Sequence, residues 1–197
     1  MWLIKTFISL ILSVPLLLFV SLAQVGELGP DPGKELIIYF GHTALIILLI
    51  TLALPILKKI KGLHFISRCS RLIGLWSFTY ASLHLLSYLA FVTGFSVAIL
   101  TEDLTGRPYA YIGMFAWLIL LLLAVTSNAY SQRKLKRNWK LLHRFVNLAL
   151  LAILVHVLWV ARSDLVWFLL YSFVFVLLIW LKYPIIMFFK NGIRFTR

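Results

Sequence analysis

Long apolar runs constrain this chain more than any other feature. Residues 36–57 and 109–129 contain no Asp, Glu, Lys or Arg at all. Each is close to the roughly 20 residues that cross a bilayer as a helix. The runs do not alternate in polarity, which excludes a transmembrane barrel. Of the 197 residues, 62% are hydrophobic and 13% charged, against about half and about a quarter in a soluble domain. A chain this size cannot bury such an excess in a core of its own, because roughly a third of its surface stays exposed. Disorder is excluded too, since it requires low hydrophobicity. The expected fold class is all-α, a polytopic membrane bundle forming one domain over residues 1–197.

Six spans are predicted, at about 6–24, 36–57, 69–93, 109–129, 141–160 and 165–189. Loops are expected at residues 25–35, across the basic stretch Lys58–Arg68, at the polar patch Thr101–Pro108, over the basic stretch Arg133–Lys140, and at a turn formed by Arg162, Ser163 and Asp164. Gly and Pro concentrate in the first and third of these, as turns require. No internal repeat is evident.

Charge then sets the orientation. The net charge of +13 suggests nucleic acid at first sight, but the cations cluster mainly in alternate loops, with only Lys34, Arg107 and Arg162 beside the acidic residues, so no nucleic-acid partner is expected. Lys58, Lys59, Lys61, Arg68 and Arg71 form one cluster. A second runs from Arg133 to Arg144, and Lys190, Arg194 and Arg197 make the tail. All six acidic residues (Glu27, Asp31, Glu35, Glu102, Asp103, Asp164) fall in the opposite loops. Short loops rich in Lys and Arg stay cytoplasmic, which predicts both termini inside. The same cations suit anionic lipid headgroups. The first span, with Lys5 ahead of it and Ser21-Leu22-Ala23 at its end, has some features of a signal peptide. Its apolar stretch is longer than the usual 7–15 residues of a signal, so a retained helix is expected.

Ionisable groups inside a membrane are costly and are functional candidates by default. The single Cys69 excludes an intramolecular disulfide framework and a Cys-rich metal centre, which leaves the histidines. His64 falls in a basic loop, whereas His42, His84, His143 and His156 lie in or at the edge of spans. His84 and His156 stand on different spans at comparable depth in the outer half. Two such imidazoles can grip one planar metal cofactor from both sides, and a bis-imidazole haem with no open position suits electron transfer. Each could instead be an interhelical hydrogen-bonder. His143 lies thirteen residues before His156, about 20 Å along a helix, which suggests a second site near the inner face. Thirteen positions turn by about 220°, so a bend or π-bulge would be needed to bring both rings into one core. The matching positions before His84 are Ser70 and Arg71, not histidine, so one haem is the expected number. His42, in Gly41-His42-Thr43-Ala44, could substitute as a ligand, hydrogen-bond a propionate or quinone oxygen, or simply sit near the interface.

Rossmann, Walker, G-x-S-x-G and H-E-x-x-H motifs are missing, and no catalytic residue is expected. A reductase domain is not seen, so a separate partner or a lipid-soluble quinol would have to bring electrons. Transport is disfavoured because no inverted repeat or paired broken helices occur.

The ordered set Leu28-Gly29-Pro30-Asp31-Pro32, Gly41-His42-Thr43-Ala44-Leu45, Arg71-Leu72-Ile73-Gly74-Leu75-Trp76, Leu83-His84-Leu85-Leu86-Ser87-Tyr88, Arg107-Pro108-Tyr109, Thr126-Ser127, Trp139-Lys140-Leu141-Leu142-His143 and His156-Val157-Leu158-Trp159 resembles the MsrQ (YedZ) family. That family supplies the membrane haem subunit of a periplasmic methionine-sulfoxide reductase system and belongs to the ferric-reductase-like transmembrane superfamily. The resemblance implies haem b, with His84, His143 and His156 as iron ligands, and FMN. It further implies electrons from the quinone pool or a cytoplasmic flavin reductase, passed to a periplasmic molybdenum-containing catalytic subunit that repairs oxidised envelope proteins. It places the chain in the bacterial inner membrane. FMN is not localised by the sequence: Arg68, Arg71 and Arg144 inside, or Arg107 outside, could take its phosphate, and Arg71 or Arg107 could equally meet a propionate or quinone. Each also has the ordinary reading of an interfacial anchor. The outer residues Glu102, Asp103 and Arg107 are the expected docking surface. The alternatives are a stand-alone transmembrane ferric or quinone reductase and, from another class, a haem-free transporter or assembly factor.

Overall fold

The computed structural model describes residues 2–57, 69–161 and 165–182. The basic stretch holding His64, the turn at 162–164 and the tail beyond 182 lie outside the described residues. Described residues form helices α1 (Trp2–Gln24), α2 (Pro32–Leu57), α3 (Ser70–Phe91), α4 (Val97–Gly106), α5 (Pro108–Val125), α6 (Ala129–Leu135), α7 (Arg137–Leu142), a 3₁₀ turn (His143–Phe145), α8 (Val146–Ala161) and α9 (Val166–Lys182), and no strand is found among them. Five helical segments are long and apolar enough to cross a membrane: α1, α2, α3, α5 and the continuous stretch Arg137–Ala161. At 17 residues α9 is shorter, and the rest of the sixth expected span lies outside the described residues.

Local chemistry explains the boundaries. Asp31 accepts a hydrogen bond from the Lys34 amide (3.0 Å) and Pro32 takes the first helical position of α2, a favoured start in which the missing N–H is not needed. Pro108 opens α5 in the same manner. The polar patch read as a loop is instead α4, because Ser96 caps its start by accepting from the Ile99 amide (3.4 Å). The basic stretch Arg133–Lys140 is likewise helical, broken only at Lys136, whose φ is +47°. Asn128 caps α6 through the Ser131 amide (2.7 Å).

α2 runs through the middle of the bundle and contributes to both apolar clusters. On one side Phe40, Ala44 and Ile47 meet Ile73 and Tyr80 of α3, with α1 packed outside them. On the other, Leu45, Leu48 and Leu52 meet Leu120, Leu150 and Tyr171 of α5, α8 and α9. The outer faces of α1, α5 and α9 remain strongly apolar: Phe7, Leu10, Leu118, Leu122, Phe173 and Val176 are exposed. So broad an exposed apolar surface is incompatible with water and matches lipid.

α1 is fastened by tyrosines where Pro15 interrupts it. Proline has no N–H and weakens the local ladder. The fully buried Tyr80 hydroxyl donates to the Leu12 carbonyl (2.6 Å) and accepts from the Leu16 amide (3.2 Å). Those are the two groups an α-helix pairs at i and i+4. Tyr39 donates to the Pro15 carbonyl (2.9 Å), and Trp76 Nε1 donates to Ser9 Oγ (3.3 Å).

Candidate functional site: two histidines held by backbone carbonyls

His84 of α3 and His156 of α8 come together. Their ring centroids are 6.1 Å apart and their planes nearly perpendicular, at 88°. α3 packs chiefly on α2, and α8 on α5, so the rings reach toward one another from two separate helix pairs.

Both histidines are held in the same way. His84 Nδ1 donates to the Ile37 carbonyl of α2 (2.8 Å), and His156 Nδ1 donates to the Tyr109 carbonyl of α5 (2.7 Å). A carbonyl can only accept, so Nδ1 carries the proton on each ring and the Nε2 lone pair is left for another partner. This is the arrangement that orients metal-binding imidazoles, in which the second ring nitrogen is bonded to a carbonyl or carboxylate. The supporting helix closes on each ring at a glycine. A Cβ on Gly41 would stand 3.0 Å from His84 Nδ1, and one on Gly113 would stand 2.8 Å from His156 Nδ1. Each glycine lies four residues after its carbonyl, and each carbonyl is 47 residues before its histidine. The two half-sites are therefore built on one plan, a structural recurrence that the reading of the sequence did not detect. Its trace was present, since both glycines precede their histidines by the same interval, but carbonyl acceptors have no residue signature.

The pair fits a group with one metal between two imidazoles. Metal–imidazole nitrogen bonds run at about 2.0–2.1 Å, which puts the ring centroids on either side of one ion about 6 Å apart. Small residues stand one or two turns before each histidine on its own helix, Ala81 before His84 and Ala149 and Ala152 before His156. No group of three or more His, Cys, Asp or Glu able to hold a bare metal ion occurs among the described residues.

The remaining candidates fall elsewhere. His42 shares a 2.6 Å hydrogen bond with the Tyr171 hydroxyl of α9 and lies edge-on to Trp167 (centroids 5.2 Å). His143 stacks on Trp139 (centroids 4.0 Å, 31°), and its Nε2 is 3.4 Å from Thr126 Oγ1. It opens the 3₁₀ turn. Three residues at 3.0 per turn instead of 3.6 add about 60° of rotation, so the bend expected between His143 and His156 is a tightening rather than a π-bulge. The two rings move toward a common face without reaching it. Arg71 is exposed in the first turn of α3. Arg107 pairs with the buried Asp103 (Nε–Oδ1 3.3 Å) and donates to the Tyr109 hydroxyl (3.3 Å). That hydroxyl, reinforced by the carboxylate, holds the guanidinium above its ordinary pKa.

Comparison with known proteins shows the family. The family described as "Ferric reductase like transmembrane component" matches residues 40–155, a stretch that contains His84 and both glycines and ends one residue before His156. A curated relative from Yersinia pseudotuberculosis serotype O:1b (strain IP 31758), the protein-methionine-sulfoxide reductase heme-binding subunit MsrQ, is 36% identical over 187 residues, covering 94% of this chain and 92% of its own. No solved structure matches the chain. The chain thus belongs to the ferric-reductase-like transmembrane family and, within it, to the MsrQ family.

Proposed function

We propose that this chain is a haem-binding membrane subunit that passes electrons outward to the catalytic subunit of a methionine-sulfoxide reductase and performs no substrate chemistry itself. The observation that carries the reading is the His84–His156 pair: two rings 6.1 Å apart, each fixed by a carbonyl at Nδ1. His84 and His156 would hold the haem iron through Nε2, and bound haem b would supply one-electron chemistry there. The chain's own part is to orient both imidazoles, keep them in one tautomer and shield the site with apolar helices. His143 stacks on Trp139 nearer the inner face, and the positions before His84 that match its spacing are Ser70 and Arg71 rather than histidine, which is the ground for one haem.

The remaining parts of the reading rest on the sequence. Six spans with both termini cytoplasmic follow from the apolar run to residue 189 and from the cationic loops, in the bacterial inner membrane. A quinol or a cytoplasmic flavin reductase delivers electrons at the basic inner face, and a molybdenum-containing periplasmic partner accepts them at the acidic outer loops. FMN, where it binds, would meet Arg71 inside or Arg107 outside. The electron-transfer reading stands on the histidine pair alone.

The test is a dithionite-reduced minus oxidised spectrum of the detergent-purified protein, with haem stoichiometry. A sharp α-band of low-spin haem b at one per chain is expected. His84→Ala and His156→Ala should each abolish it, and an unchanged haem yield in both variants would overturn the ligand assignment.

A further inference from the structure

Above the histidine pair, one carboxylate joins both halves of the site. Asp103 of α4 is 6% exposed, the only buried charged residue among those described. Tyr88, one turn beyond His84 on α3, donates to Asp103 Oδ2 (2.6 Å). Arg107 donates to both carboxylate oxygens (Nε to Oδ1 and Nη1 to Oδ2, each 3.3 Å), and its amide donates to the Asp103 carbonyl (2.9 Å). Arg107 also reaches the hydroxyl of Tyr109, whose carbonyl accepts from His156. A continuous path of bonds therefore runs from the His84 helix through Asp103 and Arg107 to the residue that orients His156.

We propose that Asp103 is a positioning residue: its carboxylate clamps the outer end of α3 to the start of α5 and so sets the mutual orientation of the His84 and His156 rings. This rests on the haem reading above. α3 and α8 do not pack closely on each other, so the relation between their rings passes through α2, through α5 and through the outer corner. That corner is short, with Arg107 alone between α4 and Pro108. The half-exposed Arg107 is a weak anchor by itself, as surface ion pairs are. The short bond from the Tyr88 hydroxyl to an ionised, buried acceptor is of the stronger, charge-assisted kind, and it crosses between elements. One more polar link joins α3 to α5, from Trp117 Nε1 to Ser82 Oγ (3.2 Å), but it leads to neither histidine.

The test compares purified wild type, Asp103→Asn, Asp103→Glu and Tyr88→Phe by electron paramagnetic resonance of the oxidised haem and by haem transfer to apomyoglobin. The g-anisotropy of a low-spin bis-imidazole haem depends on the angle between the ring planes, so a merely structural loss would not move it. Asp103→Asn and Tyr88→Phe should each alter the g-values and release haem about tenfold faster, the lower end of what outer partners of metal-binding histidines contribute. Asp103→Glu should restore most of both. Should Asp103→Asn fail to accumulate, Tyr88→Phe, which removes one hydroxyl, carries the test alone. Tyr80→Phe serves as the control that weakens the fold elsewhere and should leave the g-values unchanged. A wild type without haem would overturn the proposed function. A wild type with haem whose g-values and release rate are matched by both Asp103→Asn and Tyr88→Phe would overturn only the role of Asp103.

Discussion

Gly41 leaves His84 no slack: a methyl group on that glycine would sit 3.0 Å from Nδ1 and 3.2 Å from Cε1. Gly113 stands in the same relation to His156, tighter at 2.8 Å. Alanine favours a helix over glycine by about 1 kcal/mol, so Gly41→Ala and Gly113→Ala should not unfold their helices. They should instead displace the rings. Haem content per purified chain should drop in both, more in Gly113→Ala, while protein yield holds; full haem occupancy in both would show that the glycines do not set the ring position.

His143 stacks on Trp139 and approaches Thr126, away from the pair. Substituting it by alanine should therefore leave the low-spin haem spectrum of the purified protein in place while slowing reduction by the inner donor. Complete loss of haem in His143→Ala would move the ligand to the inner face.

The 2.6 Å bond between His42 and Tyr171 links α2 to α9. Tyr171→Phe removes it and should cost about 1 kcal/mol, the usual net worth of such a bond. Thermal unfolding in detergent would register that loss, with haem content unchanged. A haem-free Tyr171→Phe protein would instead place His42 in the cofactor's shell.

Reporter fusions test the orientation. One placed after Arg197 and one in the loop at 24–35 should report from opposite sides of the membrane, since the basic tail and the acidic loop carry opposite topology signals. Same-side readouts would require a different number of spans.

Much of the fold was legible because bilayer thickness and helix rise translate apolar run length directly into spans. The all-helical class followed from apolar length, whereas Pro32 and Pro108, read as loop residues, open α2 and α5. α4 escaped because Thr101, Glu102 and Asp103 are polar, and a polar patch between spans reads as a loop unless the Ser96 cap is noticed. The pairing of His84 with His156 was foreseen from equal depth. Its support was not, because the acceptors are the main-chain carbonyls of Ile37 and Tyr109, and any residue type could have supplied them. The clamp at Asp103 was hidden for a related reason: Tyr88 and Asp103 are fifteen residues apart across a turn, with no periodicity to connect them.

The hydroxyl of Tyr80, seated between Leu12 and Leu16, has a bearing on how the molecule is made. Backbone groups left unpaired in lipid cost several kcal/mol each. α1 with its proline is therefore a poor resident of the membrane on its own and improves as α2 and then α3 arrive, through Tyr39 and Tyr80. It reaches its final state only after α3 has been made. A chain shortened before residue 80 should remain exposed to membrane quality-control proteases, whereas one extended past α3 should escape them.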